Sequence, residues 1–336
     1  MGMRTWSRLT GAGAALALGL AVAACGTTAD DNSAGGGGDS GPITGLRVMV
    51  PNSPGSGYDT TARTATKAME DAKLARNVEV FNVAGAGGTV GLQRLVNEKG
   101  TDKLLMQMGL GVVGAAYTNK SKATLQETTP IAKLIEEAEA IVVPAGSPYN
   151  TLQDLITAWK ANPGKVPVGG ASAPGGPDHL TPMLFAKAAG VDPKSVNYVS
   201  YDGGGELLNG ILGKKVHFGA TGVGEVAEQA KAGKVKILAV TSAERAEGVD
   251  APTLKESGVD LVFSNWRGLV AAPGISDDAK KNLVDLVTKL HDSQEWKAAL
   301  EEKGWVDAFQ AGDEFTTFLQ SENDRVAGVL KELGLA

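Results

Sequence analysis

Gly45-Leu46-Arg47-Val48-Met49-Val50-Pro51-Asn52-Ser53-Pro54-Gly55-Ser56-Gly57-Tyr58-Asp59-Thr60-Thr61-Ala62-Arg63 changes its hydrophobic pattern once, and that change decides the fold class. Residues 45–51 form a short apolar run that reads as a strand, and residues 52–57 are a loop rich in Gly, Pro and Ser. Beyond the loop, Ala62, Ala65, Met69 and Ala72 fall three or four apart, which predicts a helix with Asp59 as its cap. The unit recurs downstream. A strand at 78–83 leads into Gly85-Ala86-Gly87-Gly88, a cap at Thr89 and a helix ending before Gly100, and further strands are expected at 103–108 and 140–144.

A second block follows Pro148. Thr151-Leu152-Gln153-Asp154 is a capping box, and Leu152, Leu155, Ile156 and Trp159 are the buried face of a helix stopped by Pro163-Gly164. Strands are expected at 166–170, 197–201, 215–220 and 235–241, with helices at 206–212 and 224–232 between them. Pro182 lies in the helix after His179, either in its first turn or at a kink. A strand around 269–272, a Ser276-capped helix carrying Ala279, Leu283, Val287 and Leu290, and two more helices complete the chain, the last over 315–333. Strands alternating with helices make this an α/β protein. The tail is too short for a third sheet and is expected to return to the first block, giving two Rossmann-like lobes joined by a hinge of two crossings.

Composition bounds the function. The 336 residues correspond to roughly two domains at about 150 residues each. A net charge of −6 offers no dominant basic surface, which argues against a nucleic-acid partner. One cysteine excludes an internal disulfide framework, and His179, His217 and His291 are too scattered for a zinc motif, so no metal and no cofactor are expected. His291 reads as a charge at a helix end, His217 as a strand surface residue, and Trp296, Trp305 and Phe309 as packing between the last helices.

The amino terminus reads as an export signal. Arg4 and Arg8 precede an apolar run too short to span a membrane comfortably, and the run ends in Val22-Ala23-Ala24-Cys25. That ending resembles the lipobox of bacterial lipoproteins, which implies that residues 1–24 are removed and Cys25 is acylated. Cleavage moves the formal charge from −6 to −8, because the leader carries two arginines and no acid. Residues 25–42 have little to bury and are expected to be a flexible tether reaching on the order of 20 Å.

The loops at 52–58, 85–89 and 172–179 each follow a strand and precede a helix. In an open α/β sheet that is the edge where ligands bind, and helix N-termini there favour anions. Taken singly they are ordinary turns; together they carry a resemblance. Residues 50–63 resemble the V-P-F-x-P-G-G-x-x-D-x-x-A-R motif of the extracytoplasmic solute-binding proteins of tripartite tricarboxylate transporters, the Bug-like receptors. Asn82-Val83-Ala84-Gly85-Ala86-Gly87-Gly88-Thr89-Val90-Gly91 resembles their N-x-x-G-A-G-G-x-x-G segment. Pro174 through His179, Val199-Ser200-Tyr201-Asp202-Gly203-Gly204, Leu238-Ala239-Val240-Thr241 with Arg245 and Ala251-Pro252-Thr253, and Trp266-Arg267-Gly268-Leu269 with Ala272-Pro273-Gly274 continue it in order. Asn52, Ser56 and Ser200-Tyr201-Asp202 depart from the pattern, and Asp202 in place of Lys lowers the positive potential of the crevice.

The resemblance implies a periplasmic-binding-protein-like Venus flytrap, with lobe 1 at 43–142 and 264–336 and lobe 2 at 143–263. It implies a monomeric, lipid-anchored receptor outside the cytoplasm that captures a small organic anion (a di- or tricarboxylate, or an amino or aromatic acid) and hands it to the membrane subunits of a transporter. The expected ligand-binding residues are Ser53, Gly57, Tyr58, Asp59, Gly87, Gly88, Gly109, Ser172, Gly176, Asp178, His179 and Tyr201.

Two enzymatic readings compete. Gly109-Leu110-Gly111-Val112-Val113-Gly114 is a literal GxGxxG, the mark of nicotinamide-dependent oxidoreductases, but it follows the third strand and lacks a placed ribose-binding acid. Ser172, Asp178 and His179 supply the residue types of a hydrolase, but lie too close in one turn for sequential triad hydrogen bonds, and no G-x-S-x-G elbow exists. The sequence therefore predicts a binding protein with no catalytic residues.

Overall fold

The structure is a computed structural model and describes residues 41–201 and 203–336. The leader, residues 25–40 of the tether with Cys25, and Asp202 lie outside the described residues.

The chain opens with β1 (Ile43–Thr44), β2 (Arg47–Val50), α1 (Gly57–Asp71), β3 (Ala75–Arg76) and β4 (Glu79–Asn82). It continues through α2 (Thr89–Asn97), β5 (Leu104–Gly109), α3 (Leu110–Thr118) and the long strand β6 (Thr129–Pro144). Next come α4 (Leu152–Ala161), β7 (Val168–Gly170), α5 (Pro177–Ala189), β8 (Tyr198–Ser200), α6 (Gly204–Leu212), β9 (Phe218–Gly222), α7 (Val223–Lys231) and β10 (Val235–Val240). The return comprises β11 (Ser264–Ala271), α8 (Asp277–Asp292), α9 (Gln294–Lys303), β12 (Val306–Ala311) and α10 (Asp313–Glu332).

Ten strands form a sheet in the order β4-β2-β5-β11-β6-β9-β7-β8, with β10 and β12 also paired to β6. At one end β4, β2 and β5 are parallel, and at the other β8, β7 and β9 are parallel, so each end is a βα unit of the kind the glycine loops predict. β6 joins the ends. Its first part, through Ala138, pairs antiparallel with β11, and its second part pairs with β9 and β10. Apolar cores fill both faces at both ends: α1, α8 and α9 cover one face of the first end, and α2, α3 and α10 the other. At the second end α4 and α5 cover one face, and α6 and α7 the other.

Several elements differ from the sequence expectation. Ser56 rather than Asp59 caps α1, its Oγ accepting from the Asp59 N–H at 3.3 Å, because the helix starts earlier than the first apolar position. β6 begins at Thr129 and not near 140; its first part carries Lys133, Glu136 and Glu137, which interrupt the apolar pattern but are held in the Lys133–Glu136 and Arg267–Glu137 ion pairs. β11 likewise starts at Ser264, and β12 was not anticipated, since Val306 and Asp307 are exposed and β12 gains its strand form by pairing with β6. Pro182 lies inside α5, beyond its first turn.

Candidate functional site

The first loop is braced from within. Asp59, 4% exposed, accepts hydrogen bonds from the Gly55 N–H at 2.9 Å, Asn82 Nδ2 at 2.9 Å and Arg63 Nε at 3.0 Å. Burial opposes its ionisation, but these donors outweigh burial and hold the carboxyl below its usual value. Asn82 Nδ2 also donates to the Asn52 carbonyl at 2.9 Å, tying loop to strand. Asp59 therefore shapes the turn. Ser53 is exposed on that loop, and Gly57 opens α1 against Arg267: a Cβ on Gly57 would lie 2.5 Å from Nη2. The Tyr58 hydroxyl accepts from the Val112 N–H at 3.3 Å, joining the N-termini of α1 and α3, and shielding from water pushes its pKa up to about 12.

In the second loop Ala86 (φ +48°), Gly87 (φ +63°) and Gly88 (φ +98°) are all left-handed, which places the turn under α3, with Asn119 Nδ2 donating to the Ala86 carbonyl at 2.8 Å. Gly88 is buried, and Gly87 is exposed but sits where a Cβ would come within 2.6 Å of Ala115 Cβ.

The GxGxxG stretch is explained by packing. A Cβ on Gly109 would meet the Trp266 carbonyl and the Tyr58 ring, and one on Gly114 would collide with the Gly175 backbone. Thr118 Oγ1 donates to the Pro174 carbonyl at 3.2 Å beside that contact. These glycines let α3 meet the loop before α5.

That loop is organised around Asp178, as the first is around Asp59. Asp178 accepts from the Ala171 N–H at 2.8 Å and from Ser172 Oγ at 3.0 Å, while the Ser172 carbonyl accepts from Tyr198 Oη at 2.7 Å and Ser200 Oγ at 3.0 Å. His179 Nδ1 accepts from the Gly175 N–H at 3.2 Å, and its ring stands edge-on to Tyr198 with centroids 4.8 Å apart. Burial pushes its pKa down to about 4, so the imidazole is neutral near pH 7. The Ser172 proton thus goes to Asp178 and not to His179, which removes the geometry of the hydrolase reading. The Gly176 N–H donates to the Ala173 carbonyl at 2.9 Å and is used within the turn. Tyr201 turns its ring onto Gly169 and Gly210, among the apolar residues under α6.

Sequence reading missed the charged floor between the two sheet ends. Arg267 on β11 bonds Glu137 on β6, Nη2 to Oε2 at 2.9 Å, with side chains only 8% and 10% exposed. Cβ atoms on Gly222 and Gly224 would lie 3.1 and 2.9 Å from Glu137 Oε1, so this carboxylate stands at the first turn of α7. Glu225 accepts from Thr221 Oγ1 at 2.9 Å and lies against Gly204 at the start of α6. Glu225 keeps solvent contact as a residue, yet the protein atoms around its carboxyl, together with the Asp178 charge, push its pKa up to about 7. Glu139 is fully buried, and burial and then the charge of Asp178 raise its pKa well above the usual value; burial raises Asp178 too. The available signal was the spacing of Glu137 and Glu139 within an apolar stretch, since residues two apart on a strand share a face.

Residues 61–335 match the family described as Tripartite tricarboxylate transporter family receptor. Protein BugT of Bordetella pertussis is 26% identical over 326 residues, covering 94% of this chain and 96% of BugT. A TctC solute binding protein from Polaromonas superposes with TM-score 0.70 at 26% identity, covering 87% of this chain and 99% of that one. MatC from Rhodopseudomonas palustris, solved with bound malate, gives TM-score 0.74 at 24% identity over 86% of this chain and 99% of its own.

Proposed function

Because this chain belongs to the tripartite tricarboxylate transporter receptor family, we propose that it is an extracytoplasmic receptor that closes two lobes on a small organic carboxylate and delivers it to membrane subunits. The lobes are residues 43–142 with 264–336, and residues 143–263. The observation that carries the reading is the meeting of α3 with the loop before α5 at Gly114 and Gly175, together with the Arg267–Glu137 pair, which lies against Gly57 at the start of α1 and Gly224 at the start of α7. At α1 the N–H groups of Gly57 and Tyr58 have no intrahelical partner, which suits an oxyanion. MatC with malate supports the ligand class. Ligand contacts are expected from Ser53, Gly57, Gly87, Gly88 and the rim of the Ser172 loop, whereas Asp59, Asp178 and His179 hold those loops in shape. Binding without turnover is the activity.

Three or four charge-assisted hydrogen bonds at about 1.5–3 kcal/mol each supply a micromolar affinity, near −8 kcal/mol, after closure. Calorimetry against mono- and dicarboxylates, amino acids and aromatic acids tests this; if no carboxylate-bearing compound binds, the receptor reading is wrong. Cys25 is proposed as the acylated mature terminus, and among the described residues no helix is long and apolar enough to cross a membrane. An intact mass of the membrane fraction showing unmodified Cys25 refutes the anchor.

A further inference from the structure

The receptor reading, on which this proposal rests, requires the two sheet ends to part and admit a ligand, and the contacts between them decide where they part. Both crossings between the ends are pinned to one residue. Thr241, fully buried directly after β10, accepts the Glu139 N–H on its Oγ1 at 2.9 Å, and the same hydroxyl donates to the Phe263 carbonyl at 2.6 Å. Its backbone repeats the pattern: the Thr241 N–H donates to the Glu139 carbonyl and its carbonyl accepts from the Phe263 N–H, each at 2.9 Å. Glu139 lies where β6 passes from β11 to β9, and Phe263 directly precedes β11, so Thr241 holds together the two stretches that join the ends.

Beside this staple one face of the molecule is continuous. Leu180 of α5, 1% exposed, lies in the apolar core of α2, α3 and α10, with Leu184 half-buried against it. Phe185 and Ala189 of the same helix belong to the core of the second end, so α5 gives each core a pair of residues four apart. Leu261, next to the crossing, packs against both cores. The Gly114–Gly175 backbone contact and the Thr118–Pro174 hydrogen bond extend the seam past the start of α5, and Lys187 pairs with Glu332 of α10 at its far end, at 2.5 Å. The other face has no such seam. Its apolar clusters, around α1 and around α6 and α7, share no residue among those described. Ser53 is exposed there, and a Cβ on Gly203 or Gly205 would meet nothing within 4 Å. Parting the first face puts Leu180 and Leu184 into water, whereas parting the second uncovers polar loops that already meet solvent.

We infer that α5 is the pivot of closure: it stays seated on α3 and α10 while the crevice opens on the opposite face, between the Ser53 loop and the first turn of α6, and that opening is the ligand's way in. The motion is a hinge whose axis lies along the seam and not midway between the lobes.

Pulsed electron paramagnetic resonance on the ligand-free, full-length chain carrying Cys25→Ser reads the two faces separately. Spin labels on Lys187→Cys/Glu332→Cys report the seam; that exposed ion pair contributes little, so its loss leaves the seam in place. Labels on Ser53→Cys/Gly205→Cys, both at exposed positions, report the opening. One distance is expected across the seam and an additional, longer one across the opening. A second, longer distance across the seam overturns the inference, as does a single distance across the opening. Leu184→Asp, at a half-buried position, should add a longer distance across the seam, with Leu180→Ala in its place if circular dichroism shows Leu184→Asp unfolded; an unchanged distance shows that α5 does not hold the face and overturns the inference. These distances need no ligand, so failure of every carboxylate to bind brings down the receptor reading, whereas the label pairs bring down the pivot alone.

Discussion

Replacing Arg267 by Met tests the electrostatic account of the crevice floor most directly. The 2.9 Å Arg267–Glu137 pair is nearly excluded from solvent on both sides, so the discount appropriate to surface ion pairs does not apply. Removing one partner of such a pair costs about 3–5 kcal/mol, because the remaining charge is left buried and unmatched. Here the upper end is expected: Arg267 also lowers the pKa of Glu139 and Glu225, and its Nη1 reaches Thr61 Oγ1 at 3.4 Å. Met keeps an unbranched apolar stem, so loss of packing is small. The double variant Glu137→Gln/Arg267→Met removes both charges and should recover about 2 kcal/mol relative to additive single losses. Urea unfolding at pH 7.5, read by far-UV circular dichroism, measures all four proteins. The deficit of Arg267→Met should shrink at pH 5.5, where Glu225, its pKa raised to about 7, is protonated. The reasoning fails if Arg267→Met loses less than about 1 kcal/mol, or if the two substitutions are additive.

Four further outcomes follow from the same geometry. Buried His179 has a folded pKa near 4 against an ordinary 6.5, so its contribution is intact above pH 6.5 and about 3 kcal/mol is lost as pH falls from 6.5 through 4; His179→Phe should abolish that part of the pH–stability profile, and identical profiles refute it. Glu225, whose pKa is raised from 4.5 to about 7, acts in the opposite sense, so stability lost as pH rises from about 4.5 through 7 should persist in His179→Phe and flatten in Glu225→Gln, as thermal melts across pH will show. Asp59→Ala strands the Gly55, Arg63 and Asn82 donors and should lower stability by about 2–3 kcal/mol in denaturant melts, while Gly114→Val, which cannot pass the Gly175 backbone, should weaken ligand binding at least about 10-fold and enlarge the radius of gyration in solution scattering.

The local units of the fold were legible in the residues because each depends on interactions a few positions apart. The Thr151–Asp154 capping box, the Leu152, Leu155, Ile156 and Trp159 face, and the Ser276 cap all stand where their spacing put them. The glycine loops also announced themselves, since left-handed turns and backbone contacts such as Gly114 on Gly175 admit little else. What those loops do was less legible. The hydrogen bonds of Asp59 to Asn82 and of Asp178 to Ser172 were not legible, since those partners are set by strand pairing and loop closure. β6 was half missed because a strand bearing Lys133, Glu137 and Glu139 looks polar until β11 brings Arg267 against it from 130 positions away. A buried charge is tolerated only where distant chain supplies its counterpart, and no local period records that. The family and the fold class were therefore written in the sequence, whereas the burial of Arg267 against Glu137 was decided by the sheet that pairs β6 with β11.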